Sequence, residues 1–260
     1  MSPELSAALD RFARTGTILV ALDFDGVMAP IVQRPEDARP LEQTAVAFAA
    51  LGSLRSTTTA LVSGRALASL RSVASPDKHT LLVGSHGAEF WWGPSNIQPP
   101  IELSPEQSEA LNAAQAALAQ VSTRFPGTRV ERKPVGVVIH TRELSETEDA
   151  AATRAALEAL ERIPGTHVTL GKRVVEVSVL QVDKGQALDI LREATGADAV
   201  FFAGDDVTDE NGFAALDPAR GDVGVKVGAG DTRAEFRIAG PEELPGVLQA
   251  IAAARQNVAY

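Results

Sequence analysis

Short apolar, β-branched runs stand near both ends of the chain: Thr17–Leu22, Thr57–Val62, Thr80–Val83, Ala199–Ala203 and Asp222–Val227. Runs of this length with little polar alternation predict strands buried on both faces. Between them, apolar positions return at helical spacing over Leu41–Leu54, Ala66–Val73, Lys184–Ala194 and Pro241–Arg255, with Asp183 placed to cap the third of these helices. Strands alternating with helices imply a mainly parallel sheet, hence an α/β fold.

The middle of the chain follows a different pattern. A turn-rich stretch, Asn96-Ile-Gln-Pro-Pro-Ile101, reads as a linker. Ser104-Pro-Glu-Gln107 then opens a helix as a capping box with Pro at its first position, and that helix is predicted to run to about Ser122. Two strand-like runs follow, Thr128–Lys133 and Gly136–Arg142, broken by Pro134-Val135. A second helix is predicted over Glu146–Arg162, with Ser145 and Glu148 as its capping box. Two further runs, His167–Leu170 and Arg173–Val179, are joined at a Gly171-Lys172 turn. The order αββαββ predicts an antiparallel sheet with two helices on one face. It is placed as an insert over residues 104–180, within a core formed by 1–103 and 181–260.

At 260 residues there is room for one large domain or two smaller ones, and 45% hydrophobic with 22% charged residues is ordinary for a globular protein. The net charge of −10 argues against nucleic-acid binding and against a polybasic membrane contact. With no cysteine there is no disulfide, thiolate metal site or thiol nucleophile. The N-terminus lacks a basic segment followed by an apolar one, and no apolar run approaches the ~20 residues of a membrane span. A cytoplasmic protein is expected, with no protein partner evident, and a monomer.

Four motifs at predicted strand–helix junctions carry candidate chemistry. In Asp23-Phe-Asp25-Gly26, two carboxylates two apart in extended chain point the same way, and Gly26 permits a sharp turn. That suits a nucleophile beside an acid/base with a divalent cation; read alone, it is equally a turn with solvated acids. Ser63-Gly-Arg65 offers a hydroxyl and backbone amides to a phosphate, or is an ordinary turn with a surface arginine. Lys184-Gly185 at a helix start can neutralise a phosphoryl oxygen or a carboxylate, or is a solvated lysine. Gly204-Asp-Asp-Val-Thr-Asp-Glu210 packs four acids into six residues, more than capping a helix requires, which calls for a cation.

In this order the motifs resemble those of the haloacid dehalogenase superfamily of aspartate-nucleophile phosphatases. Within it the chain resembles the trehalose-6-phosphate phosphatases, through Asp23-Phe-Asp-Gly-Val-Met-Ala-Pro-Ile31, Ser63-Gly-Arg65, Gly84-Ser-His-Gly-Ala-Glu89, Val130-Glu-Arg-Lys133, His140-Thr-Arg142, Lys184-Gly185 and Gly204–Glu210. The resemblance covers nearly the whole chain. It implies a Rossmann-like core of mainly parallel sheet with the αββαββ insert as cap. Three positions depart from the family's usual pattern: Val27 stands where threonine is usual and Ser85 where glutamate is common, and 177–183 lacks an arginine-proline pair.

What the resemblance implies for the residues is specific. Asp23 attacks phosphorus, and Asp25 protonates the leaving sugar oxygen and then activates water. Mg²⁺ is held by Asp23, the Asp25 carbonyl and Asp205, with Asp206 acting through water. Ser63 and Lys184 hold phosphoryl oxygens, and Asp209 orients Lys184. Arg65 binds substrate. On the cap, Glu131, Lys133 and Glu176 contact sugar hydroxyls, whereas a solvent-facing ion pair is the alternative for Glu131 and Lys133. His86 reaches the sugar or caps its loop, and for His140 and Arg142, part of the matching motifs, a purely structural place in the cap is the alternative. Trp91 and Trp92 stack on sugar or, the favoured reading, pack a hairpin on the core. The implied substrate is a small sugar phosphate, trehalose 6-phosphate; alternatives are sucrose 6-phosphate, a glycosyl-phosphoglycerate, or a sugar phosphomutase on the same scaffold. A phospho-accepting receiver module shares Asp, Mg²⁺ and Lys but has no insert and carries its acid pair first.

Overall fold

The computed structural model describes residues 1–93, 103–133, 135–171, 173–180 and 183–256. The expected linker Asn96–Ile101, Pro134, Lys172, and residues 181 and 182 of the departing stretch lie outside them. The chain forms two compact units, one from residues 1–99 and 182–260 and the other from 100–181.

The first unit begins with α1 (Pro3–Ala13), β1 (Ile18–Leu22), α2 (Glu42–Gly52), β2 (Thr57–Val62), α3 (Leu67–Ala74), β3 (Leu81–Gly84) and β4 (Glu89–Trp91). The second unit contributes α4 (Pro105–Arg124), β5 (Arg129–Lys133), β6 (Gly136–His140), α5 (Glu146–Leu160), β7 (His167–Gly171) and β8 (Val174–Ser178). The first unit then resumes with α6 (Lys184–Thr195), β9 (Ala199–Gly204), α7 (Asp209–Ala214), β10 (Val223–Val227), β11 (Phe236–Ile238) and α8 (Leu244–Gln256).

Its seven strands lie in the order β11-β10-β9-β1-β2-β3-β4, parallel except for the β3–β4 hairpin. β1 is buried along its whole length because both faces are covered. Ile18, Val20 and Leu22 pack with Leu5 and Phe12 of α1, Leu51 of α2 and Ile251 of α8. Leu19 and Ala21 turn to the opposite layer, with Leu188 and Leu191 of α6 and Phe213 of α7. This explains the unbroken apolar run in the sequence: alternation disappears when helices cover both sides. Arg255 near the end of α8 seals the base of the sheet. It is 2% exposed and donates to the carbonyls of Ala13 (2.9 Å) and Ser56 (2.8 Å), which lead into β1 and β2.

The second unit is a four-stranded antiparallel sheet, β5-β6-β8-β7. Val137, Ile139, Val175 and Val177 face α4 and α5, where Leu118, Val121, Ala156 and Leu160 complete a separate core. Both capping boxes form, Ser104 with Gln107 and Ser145 with Glu148. The αββαββ order of the sequence reading is thus observed. The helix expected over Pro241–Arg255 is instead a 3₁₀ turn, Pro241–Glu243, leading into α8. Trp91 and Trp92 serve packing within the first unit: Arg71 lies over the Trp91 ring at 4.8 Å, and Trp92 stacks on Phe90 at 5.3 Å.

Candidate active site

The sheet register gathers the first and fourth motifs. Leu22 at the end of β1 pairs with Leu61 of β2 on one side and Ala203 of β9 on the other. Asp23, Ser63 and Asp205 therefore leave the carboxyl edge of three adjacent strands. β1 is also where successive connections reverse direction across the sheet, the place where open α/β folds hold ligands. Gly26 has φ of +75°, and a Cβ there would overlap the Asp205 carboxylate, so the turn after β1 and the loop after β9 meet only with glycine at this position.

Lys184 enters from the start of α6, which Asp183 caps through the Gln186 amide (2.9 Å). The lysine is 2% exposed; its Nζ lies 2.6 Å from Asp209 Oδ1 and 3.1 Å from Asp23 Oδ2. Asp209, fully buried, accepts from the amides of Asp205 and Asp206 with its other oxygen, both at 2.9 Å. Carboxylate oxygens of Asp23, Asp205 and Asp209 lie within 4.8 Å of one another. Three anionic hard oxygens at one point fit a hard divalent cation such as Mg²⁺. Both Asp209 oxygens serve Lys184 and the loop amides, while Asp23 accepts from the Phe24 amide with Oδ1 (2.7 Å) and meets Lys184 with Oδ2.

Burial pushes the Asp23 carboxyl up to about 7; the Lys184 charge opposes the rise and that of Asp209 adds to it. Burial and then Asp209 likewise raise Asp205, to about 6. Burial alone would lower the Lys184 value, but Asp23 and Asp209 outweigh it and raise it, so the ammonium stays charged. Both carboxyls thus bind protons more tightly folded than at the ordinary 3.8, so their contribution to stability is full below that value and is lost as pH rises through about 6 and 7. A divalent cation competes with those protons. The rise in Tm given by saturating Mg²⁺ is expected to be larger at about pH 8 than at about pH 5, as read by calorimetry.

The structure brings Asp25 and Arg65 together. The guanidinium holds both Asp25 oxygens at 2.6 Å, donates to the Pro35 carbonyl at 2.8 Å and lies over the Phe24 ring. Ser63 is buried, and its hydroxyl accepts from the Arg65 amide at 3.2 Å. His86 has a left-handed backbone (φ 56°), its amide donates to the Ser63 carbonyl at 3.0 Å, and its ring fills the space a Cβ on Gly64 would need. Of the departing residues, Val27 is fully buried in the core and Ser85 bonds Glu89. Asp206 is exposed and accepts from the Val207 amide, apart from the three gathered acids.

Two residues behind the loop are not among those the motifs assign a role. Lys226 on β10 is 4% exposed; its Nζ donates to the Asp205 carbonyl (2.7 Å) and lies 3.7 Å from Glu210 Oε1. The signal was a lone lysine inside the apolar run Val223-Gly-Val-Lys-Val227.

In the second unit, alternation sets Glu131, Lys133 and Glu176 on the sheet face away from its helices. Lys133 Nζ meets Glu176 Oε1 at 2.8 Å, and Glu131 Oε2 meets His140 Nε2 at 2.8 Å. Burial raises the Glu131 carboxyl, but its bond to His140, with Lys133 and Arg129, holds it below the ordinary value. Among the described residues no helix is long and apolar enough to cross a membrane.

The trehalose-phosphatase family model matches residues 21–242. The chain is 30% identical over 260 residues to trehalose-6-phosphate phosphatase of Escherichia coli K12, covering 98% of this chain and 91% of that protein. It is 34% identical over 205 residues to an uncharacterized glycosyl hydrolase of Mycobacterium tuberculosis, covering 76% of this chain and 15% of that longer protein. Among solved structures, trehalose-6-phosphate phosphatase of Aspergillus fumigatus is 25% identical with a TM-score of 0.64, over 96% of this chain and 97% of that one. The chain belongs to the trehalose-phosphatase family, phosphate-monoester hydrolases of the haloacid dehalogenase fold.

Proposed function

We propose that the protein hydrolyses trehalose 6-phosphate to trehalose and phosphate through an aspartyl-phosphate on Asp23. The observation that carries this reading is the buried Lys184 bridging Asp23 and Asp209 at the carboxyl edge of β1, beside Asp205. The Asp23 and Asp205 side chains and the Asp25 carbonyl would hold Mg²⁺, with Asp206 assigned to the same ion through water. When bound, Mg²⁺ supplies positive charge that keeps Asp23 ionised beside an anionic phosphate.

Asp23 forms a bond to phosphorus as the bond to the sugar oxygen breaks, and Asp25 gives that oxygen its proton. Asp25 then takes a proton from water, whose oxygen attacks phosphorus and frees both phosphate and the Asp23 carboxylate. Ser63 and Lys184 hold the phosphoryl oxygens. Asp25 starts paired with Arg65, so its acid role requires the guanidinium to turn from it and the carboxyl to take a proton from solvent before the first displacement; the incoming phosphate is the anion that draws Arg65 away. His86 borders Ser63 and is assigned to the sugar side of the site.

Glu131, Lys133 and Glu176 are assigned to the sugar hydroxyls, which makes the second unit the specificity-determining cap. Support comes from their shared sheet face and from the charge pairs that hold them in place. The test is a panel of trehalose 6-phosphate, sucrose 6-phosphate and a glycosyl-phosphoglycerate. The expected order puts trehalose 6-phosphate first, and Lys133→Met and Glu176→Gln raise its KM by about 10–100-fold, one to three kcal/mol of lost binding. Preference for another ester with unchanged KM in the variants would replace the substrate and keep the chemistry.

A further inference from the structure

We propose that Lys226 is a positioning residue for the metal-binding loop, fixing Asp205 from behind through its backbone. The inference rests on the reading of Asp23 and Asp205 as Mg²⁺ ligands. Asp205 is pinned at both peptide groups: its amide donates to Asp209 Oδ2 (2.9 Å), and its carbonyl accepts from Lys226 Nζ (2.7 Å). With both flanking peptides held, the Cα–Cβ direction of Asp205 is set, and its carboxylate lies within 4.8 Å of those of Asp23 and Asp209.

Lys226 is itself held. It lies on β10 opposite Gly204, the last residue of β9, so its stem runs directly under the loop. Its ammonium is buried and faces Glu210 on α7, whose other carboxylate oxygen accepts from the Arg233 amide (2.7 Å) in the segment after β10. One cation therefore joins β10, the Asp205 loop and α7. A buried ammonium in a strand needs partners that repay its desolvation, and the partners found here are the loop carbonyl and Glu210. Side chains that orient metal ligands without touching the metal commonly change metal affinity 10–100-fold when removed.

The test is titration of the full-length protein with Mg²⁺ by calorimetry, for wild type, Lys226→Met and Glu210→Gln. Methionine keeps the apolar stem and removes the ammonium; glutamine keeps the acceptor for the Arg233 amide and removes the charge. The Mg²⁺ Kd is expected to rise about 10–100-fold in K226M and by a smaller factor in E210Q. The Mg²⁺ concentration that half-activates phosphate release moves with Kd, while kcat at saturating Mg²⁺ falls by a smaller factor. Arg255→Met removes bonds at the opposite end of the sheet; it lowers Tm but leaves the Mg²⁺ Kd in place, separating positioning from general destabilisation. A folded K226M that binds Mg²⁺ as wild type does overturns the inference. Should K226M not fold, an unchanged Kd in E210Q overturns it. Wild type that binds no Mg²⁺ removes the metal reading itself, a result distinct from either.

Discussion

Asp23→Asn is expected to reduce phosphate release at least about 10⁴-fold while the protein remains folded. Asparagine has the shape of aspartate, and its amide oxygen still accepts from the Phe24 amide, which lies 2.7 Å from Asp23 Oδ1. What is lost is the anion proposed to attack phosphorus, and no neighbour replaces it. Asp209 has both oxygens engaged, and Asp205 leaves β9 rather than β1. Lys184 keeps Asp209 as its partner at 2.6 Å, so D23N leaves no buried charge alone. The check is steady-state phosphate release beside a thermal melt: retained activity contradicts the role of Asp23, and lost folding would be seen in the melt.

Lys184→Met is the second large effect, and it falls on both activity and stability. The ammonium faces two carboxylates, and its side chain is 2% exposed, as Asp209 is 0% and Asp23 8%. Removing it leaves buried acids without their cation, which costs about 3–5 kcal/mol at neutral pH. Asp23 is then driven further towards its protonated form, so the loss of stability shrinks as pH falls and the acids take up protons. Activity is expected to fall about 10²–10³-fold even in saturating Mg²⁺, because the donor assigned to the phosphoryl oxygen is gone. Melts at about pH 5 and pH 8 test the sign: a destabilisation that grows at low pH would contradict the pairing.

The parts of this fold that were legible in sequence are those where one local rule decides. β1 and β9 are unbroken apolar runs because helices cover both faces of the sheet. α4 and α5 begin at capping boxes that stand in the sequence as Ser-x-x-Gln and Ser-x-x-Glu. α1 is not among the predicted helices although Ser2 caps it and Leu5, Ala8, Leu9 and Phe12 share its buried face. β11 has three residues, and its place at the sheet edge depends on pairing with β10, which no local pattern announces. α7 hides in the acid cluster, since Asp209 serves both as its first residue and as partner of Lys184.

The site divides in the same way. The acids, Ser63 and Lys184 are readable because each ends a strand or opens a helix. Contacts between loops are not: Arg65 reads as a substrate ligand, and only the meeting of the loops after β1 and β2 places it on Asp25. Lys226 is legible as an anomaly, a charge inside a buried strand, but its partners lie on two other elements.

In the proposed mechanism Asp23 carries the phosphoryl group. An acyl phosphate is reduced by borohydride, so quenching the enzyme during turnover of trehalose 6-phosphate and mapping peptides by mass spectrometry reads the nucleophile directly. Conversion of Asp23 to homoserine is predicted, dependent on both substrate and Mg²⁺ and absent with a chelator. Steady phosphate release with Asp23 unmodified, or conversion at another acid, would contradict the mechanism.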